Sequence, residues 1–255
     1  MPPRSATYWA EKAGRRGTVS YRNRWLDGYW ERIRRFAVAE PFGWVVDDLE
    51  KAFPNRLIRA LDLGCGDGSF TNWLASQSLG RISWIGADFY WYDGQSFDAL
   101  SAMSFMSGVD AEQADQHFTP DAFDLVTLNG VLECVDNWQK ALSNALLIAP
   151  RVLLVEDLRM KVPPYQLGLD YKHAISWPEF VGHLKARGDV QAVGFRPVTV
   201  IDRALFVRTP QRLWPLVMVT TLAIDAALTR WLPDGLADRH SRFRAVYLKR
   251  KELIA

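Results

Sequence analysis

The residues best placed to do chemistry stand close together in "RALDLGCGDGSF", Arg59 to Phe70. A carboxylate, Asp62, lies inside an apolar run, and Gly64, Gly66 and Gly68 follow at alternate positions. A strand, a glycine loop and a helix bring backbone N–H groups together and let a ligand lie against the main chain. The dinucleotide fingerprint needs glycines at its first, third and sixth positions, and counting from Gly64 the sixth position is Ser69. Asp62 departs further from that pattern. A carboxylate repels a pyrophosphate but attracts a ligand carrying an ammonium or a sulfonium. Downstream, "WIGADF" ends an apolar run on Asp88 and Phe89, "GVDAEQ" carries Asp110 and Ala111, and "FDLVTLNGVLECVDN" carries Asn129, Gly130 and Glu133.

These positions need a scaffold, and the chain alternates in the way that supplies one. Apolar runs "LIRALDL", "RISWIGAD", "FDLVTLNG" and "RVLLVEDL" read as strands, while "SFTNWLASQSL", "SFDALSAMSF" and "DNWQKALSNALLIA" between them read as helices. Such alternation implies right-handed βαβ units, a parallel sheet covered on both faces, and a doubly wound α/β fold. Ligands of that fold bind beyond the carboxyl ends of the strands, where Asp62, Asp88 and Asn129 fall. The first fifty-odd residues read as helical, with Trp25, Tyr29, Ile33 and Phe36 at helical spacing and a break expected at Pro41 and Gly43. After the alternating region, "WPEFVGHLKARG" reads as a helix, and "AVGFRPVTVI" and "RFRAVYLKRK" as strands.

The four quoted segments together resemble the class I S-adenosylmethionine-dependent methyltransferases. "LDLGCGDG" is similar to that family's first motif, an acid in an apolar strand followed by three alternating glycines. The resemblance runs strongly over residues 57–158 and implies a mostly parallel, seven-stranded Rossmann-like sheet. On it, residues 1–55 form an N-terminal helical cap, 56–208 the cofactor-binding core, 209–240 a helical insertion before the last strand, and 241–255 a final strand with a basic tail. The implied cofactor is S-adenosylmethionine, released as S-adenosylhomocysteine. Asp62, Gly64, Cys65, Gly66 and Gly68 would form its loop, Asp88 would hold the ribose, and Phe89 would lie against the adenine. Asp110 would face the adenine amino group, with Asp115 a rival, Ala111 would offer its backbone, and Asn129 and Gly130 would line the methionine end.

Methyl transfer from a sulfonium needs alignment and exclusion of water, and no acid or base is obligatory. For a hydroxyl acceptor a base would help, and the candidates are Glu133, His173 and Asp157. Glu133 stands where many relatives have an acid followed by histidine, but Cys134 follows it here. "NGVL" replaces the proline-rich motif of the base-amine methylases, and Cys134 follows Glu133 where the base-carbon enzymes place a nucleophilic cysteine after proline or threonine. The 31 basic and 29 acidic side chains nearly balance, so nucleic acid is disfavoured as a partner. The two cysteines, Cys65 and Cys134, have no metal-ligand spacing, and with no apolar leader at the N-terminus a cytoplasmic location is expected.

The expected function is therefore methyl transfer to oxygen or nitrogen of a small or amphiphilic acceptor, glycan- and lipid-linked ones included. Two rivals remain at this level: a scaffold that binds the cofactor without using it, and a nicotinamide-dependent oxidoreductase. The N-terminal aromatics Tyr8, Trp9, Tyr21, Trp25 and Trp30 could close over the site, with Arg22 or Arg24 on the cofactor carboxylate. In the apolar stretch Leu213 to Leu232 the polar positions Thr221, Asp225 and Thr229 form a narrow stripe at helical spacing. Asp225 and Arg230 leave it too short for a membrane span. It suits packing in the core, the interface of a homodimer, or a peripheral membrane contact that delivers an amphiphilic acceptor.

Overall fold

The computed structural model describes residues 24–66, 68–78, 80–90, 103–158, 160, 174–198 and 243–251, together with positions 213, 216, 219, 220, 223, 224 and 227. Helix α1 (Arg24–Ala52) leads into β1 (Ile58–Leu63), α2 (Ser69–Gln77), β2 (Ile82–Asp88), β3 (Met103–Ser107) and a 3-10 turn (Ala111–Gln116). Then come β4 (Leu125–Asn129), α3 (Trp138–Ile148), β5 (Arg151–Glu156), α4 (Trp177–Arg187), β6 (Val190–Val198) and β7 (Phe243–Arg250). The strands form one seven-stranded sheet in the order β3-β2-β1-β4-β5-β7-β6. Neighbours from β3 to β5 are parallel, and β7 runs antiparallel to both β5 and β6. The doubly wound α/β fold expected from the alternation is thus the fold of the chain.

The strands read as near-continuous apolar runs because both faces are covered. On one face α1 and α2 bury Val38, Phe42, Val45, Leu49, Phe70 and Leu74 against Ile58, Ala60, Trp84, Leu153 and Tyr247. On the other, α3 and α4 pack Leu142, Ala145, Leu146, Phe180 and Leu184 against Leu61, Val126, Leu128, Val152 and Leu154. The helix starts are capped locally. Asn137 accepts a hydrogen bond from the Lys140 N–H, and Ser176 from the Glu179 N–H, which is the expected use of short polar side chains there.

Two expectations need correcting. Helix α1 runs through Pro41 and Gly43 without a break. Proline costs a helix about 3 kcal/mol, but Val38, Phe42, Val45 and Leu49 fall on one helical face and are all buried. Each such side chain is worth about 1.5–3 kcal/mol when fully buried, so packing wins. The segment "SFDALSAMSF" was expected to be helical throughout, yet Met103 to Phe105 belong to β3, in register with Trp84 to Gly86 of β2. Hydrogen bonding along the free edge of β2 decides the conformation there, and a periodicity argument does not see that edge. Residues 91–102 lie outside the described ones.

Candidate functional site

The sheet order reverses between β1 and β4, so the loops leaving those two strands part toward opposite faces and open a crevice at their carboxyl ends. Asp62 sits one residue from the end of β1 and pairs in register with Gly86 of β2 and Thr127 of β4. Its side chain does not line an open pocket: it is 1 % exposed. Thr71 Oγ1 donates to its Oδ2 and Thr127 Oγ1 to its Oδ1, at 2.7 Å in the second case. Burial lifts the Asp62 pKa to about 6, against the pull of the two hydroxyls, and the nearby charge of Asp88 adds to the rise. Asp62 therefore ties together the end of β1, the start of α2 and β4, beneath the glycine loop.

The loop itself has positive φ at Gly64, Gly66 and Gly68, a conformation open to glycine at no steric cost. A Cβ at Gly64 would come 2.5 Å from Val131 Cγ2, so the β4 loop presses directly on this turn. A Cβ at Gly66 would meet nothing within 4 Å, which leaves open space beside the main chain. Cys65 is buried within the turn.

Asp88 ends β2 and points inward, 8 % exposed. Its Oδ2 accepts from the Gly66 N–H at 2.9 Å and its Oδ1 from the Tyr90 N–H at 3.0 Å. Burial raises its pKa, opposed by these backbone hydrogen bonds. Phe89 beside it is half exposed, at 52 %, and meets Tyr90 edge to face. The turn after β3 is tied to the same place, since the Val109 N–H donates to Asp88 O and the Gly108 N–H to Phe89 O. Asp110 caps the 3-10 turn by accepting from the Glu112 N–H, and the Ala111 carbonyl accepts from Asn144 Nδ2.

At the end of β4, Asn129 Oδ1 is shielded from solvent and accepts no hydrogen bond from the described residues. Glu133, in the turn that follows, is 4 % exposed, and Cys134 Sγ donates to the Gly130 carbonyl. His173, the N-terminal aromatics Tyr8, Trp9 and Tyr21, Arg22, and the side chains of Arg24, Trp25 and Trp30 lie outside the described residues. The sequence brings Asp62, the glycine loop, Asp88, Phe89, Asp110, Ala111 and Asn129 to one edge, and the structure places them there. It also adds residues the sequence did not single out: Thr71, Thr127, Val131 and Glu156.

The fold and this edge can be set beside known proteins. A family model described as a methyltransferase domain matches residues 29–184. The chain belongs to that family. It is a class I enzyme that uses S-adenosylmethionine, and the three-glycine turn, the inward acid at the end of β2 and the free acceptor on Asn129 fit that cofactor's donor and acceptor groups. No curated relative matches the chain. Among solved structures, the plantazolicin methyltransferase BpumL, in complex with a triazolic desmethylPZN analog and SAH, is similar at 16 % identity. The alignment spans 96 % of this chain and 95 % of that one, with a TM-score of 0.54. YcgJ from Bacillus subtilis gives 18 % identity over 84 % of this chain and 99 % of that one, TM-score 0.51. The [4+2]-cyclase SpnF gives 14 % over 81 % and 79 %, also with a TM-score of 0.51. At these identities the likeness concerns the fold of the methyltransferase alone.

In the 209–240 region the helical positions Leu216, Val219, Thr220, Ala223 and Ile224 are exposed, as is Leu213. Leu216 is 66 % and Val219 59 % accessible. Leu216, Val219, Thr220, Ala223 and Ile224 stand at helical spacing and share one face. Thr220 Oγ1 donates to the Leu216 carbonyl at 2.9 Å, so this polar side chain spends its hydroxyl within the helix. Among the described residues, no helix is long and apolar enough to cross a membrane.

Proposed function

We propose that this methyltransferase transfers the methyl group to oxygen or nitrogen of a small amphiphilic acceptor, taken up beside the exposed apolar side chains Leu213, Leu216, Val219 and Ile224. The observation that carries the reading is this exposure: Leu213, Leu216, Val219 and Ile224 are exposed together, a grouping that marks interaction surfaces when contiguous. The bound cofactor supplies an activated methyl on a positively charged sulfur. The chain's own residues then bind, orient and exclude water. Asp88 has lone pairs left after accepting from Gly66 and Tyr90, and they take the two ribose hydroxyls. Asn129 Oδ1 receives the ammonium group of the amino-acid end, which would satisfy a buried acceptor that otherwise costs free energy. Phe89 covers the adenine, and Asp110 and Ala111 meet its edge, Ala111 through its N–H. Glu133, or His173, accepts the acceptor's proton when the nucleophile is a hydroxyl.

The test is transfer of labelled methyl from S-adenosylmethionine into cell extract separated into polar metabolites and amphiphiles. A gain of one methyl mass in the amphiphilic fraction is expected. Label confined to polar metabolites would overturn the amphiphilic acceptor. Binding of S-adenosylhomocysteine with no labelled product in either fraction would favour a scaffold.

A further inference from the structure

Glu156 closes β5 and is 1 % exposed. A carboxyl group buried this deeply must be hydrogen-bonded to be tolerated. Its Oε1 accepts from the Val131 N–H at 3.0 Å and the Leu132 N–H at 3.3 Å. The Gly130 N–H donates to the Val155 carbonyl at 2.9 Å. Three consecutive amides of the turn after β4 are thus held by the last two residues of β5. On the far side of that turn, Val131 bears on Gly64 so closely that a Cβ there would clash at 2.5 Å. Arg244 of β7 stands opposite Glu156 in register, is fully buried, and has its guanidinium 4.8 Å from the Trp177 ring. Residues directly opposite in an antiparallel pair share a face.

We infer that Glu156 is a positioning residue, which clamps Gly130 to Leu132 so that Val131 braces the Gly64 turn and fixes the amino-acid end of the cofactor pocket. It does so through the turn and without touching the ligand. The inference rests on the reading above, which places the amino-acid end at Asn129 and Gly130. The nucleoside end depends on other parts, namely Asp88, Phe89 and Asp110 on β2 and the turn after β3. Loss of the clamp should therefore divide the ligand in two. Without the carboxyl group the Val131 and Leu132 N–H groups lose their shared acceptor, and the turn is free to move off Gly64.

Calorimetric titration with two probes reads that division: S-adenosylhomocysteine, and methylthioadenosine, which shares the nucleoside and sulfur but lacks the amino-acid end. Glu156→Leu is expected to weaken S-adenosylhomocysteine about tenfold and to leave methylthioadenosine within about twofold. Glu156→Gln keeps an oxygen that accepts the same two N–H groups and should stay within about threefold of wild type for both. Val131→Ala leaves the clamp but removes the brace. It should weaken only S-adenosylhomocysteine, by about threefold, and it answers the question if Glu156→Leu does not fold. Equal weakening of both probes, or unchanged S-adenosylhomocysteine binding in the folded variants, would overturn the inference. Failure of the wild-type protein to bind either probe would overturn the proposed function instead.

Discussion

Asp88 holds the glycine turn and, in the proposed reading, the ribose as well, so one carboxylate serves structure and ligand together. Its two oxygens already accept from Gly66 and Tyr90. Asp88→Asn replaces one acceptor by a donor that faces a backbone N–H, so the turn and the ribose site suffer together. S-adenosylhomocysteine affinity should fall by about ten- to a hundredfold, the equivalent of one or two lost charge-assisted hydrogen bonds, read by calorimetry. Asp62 makes a different prediction. Burial raises its folded pKa from 3.8 to about 6, so between those values the folded protein holds a proton that the unfolded chain has released. Its contribution is fully present below the unfolded pKa and is lost as pH rises through the folded one, by about 3 kcal/mol in all. Asp62→Asn removes that loss. The melting temperature of the variant relative to wild type should climb from pH 4 to pH 7, and a flat difference would show that the carboxyl is not buried as described. The difference is the quantity to follow, because Asp48 and Asp124, whose pKa values are lowered, give wild type the opposite slope at the acid end.

At the scale of elements, α1 is docked by a charge cluster far from the crevice. Asp48 accepts from Arg151 Nε, from Tyr247 Oη at 2.8 Å and from Lys249 Nζ at 3.1 Å, joining the helix to β5 and β7. Burial pushes the Asp48 carboxyl up, but these hydrogen bonds outweigh it and hold the pKa at about 2. Asp48→Asn leaves the nearly buried Arg151 guanidinium short of its partner and should cost about 2 kcal/mol. For a domain of this size that is a fall of roughly 4–8 °C in melting temperature, with S-adenosylhomocysteine affinity unchanged. Nothing in the sequence announced this contact, since Asp48 and Arg151 are 103 residues apart. What was legible followed local rules. The strands showed as apolar runs, and Asp62 showed because an acid inside such a run is anomalous. Glu156 carries the same anomaly at the end of "RVLLVE", but it is its neighbour Asp157 that stands beyond the apolar run as a candidate base. Successive strand residues point to opposite faces, so a shift of one residue exchanges a buried clamp for a half-buried side chain. β3 was misread for the complementary reason: an edge strand is fixed by its partner, and the partner is not in the local pattern.

At the scale of the whole molecule, the proposed site lies at the carboxyl edge of the sheet, and among the described residues an apolar helical face is exposed elsewhere in the chain. The near balance of 31 basic and 29 acidic side chains gives no long-range attraction to an anionic surface, so any association through that face must rest on apolar contact. Exposed Leu213, Leu216, Val219 and Ile224 supply it. Because the proposed acceptor is amphiphilic, the same face should hold micelles or bilayers. Wild-type protein is expected to float with neutral phosphatidylcholine vesicles, and to do so nearly independently of salt. Leu216→Ser combined with Val219→Ser and Ile224→Ser should abolish flotation while leaving S-adenosylhomocysteine affinity within about twofold and the melting temperature nearly unchanged, since exposed side chains contribute little to folding. If wild type stays with the soluble fraction and sediments as a dimer that the triple variant splits, a second copy of the chain covers the face and the amphiphilic acceptor loses its support. If the triple variant instead melts well below wild type, the face is packed against the domain and neither partner is needed.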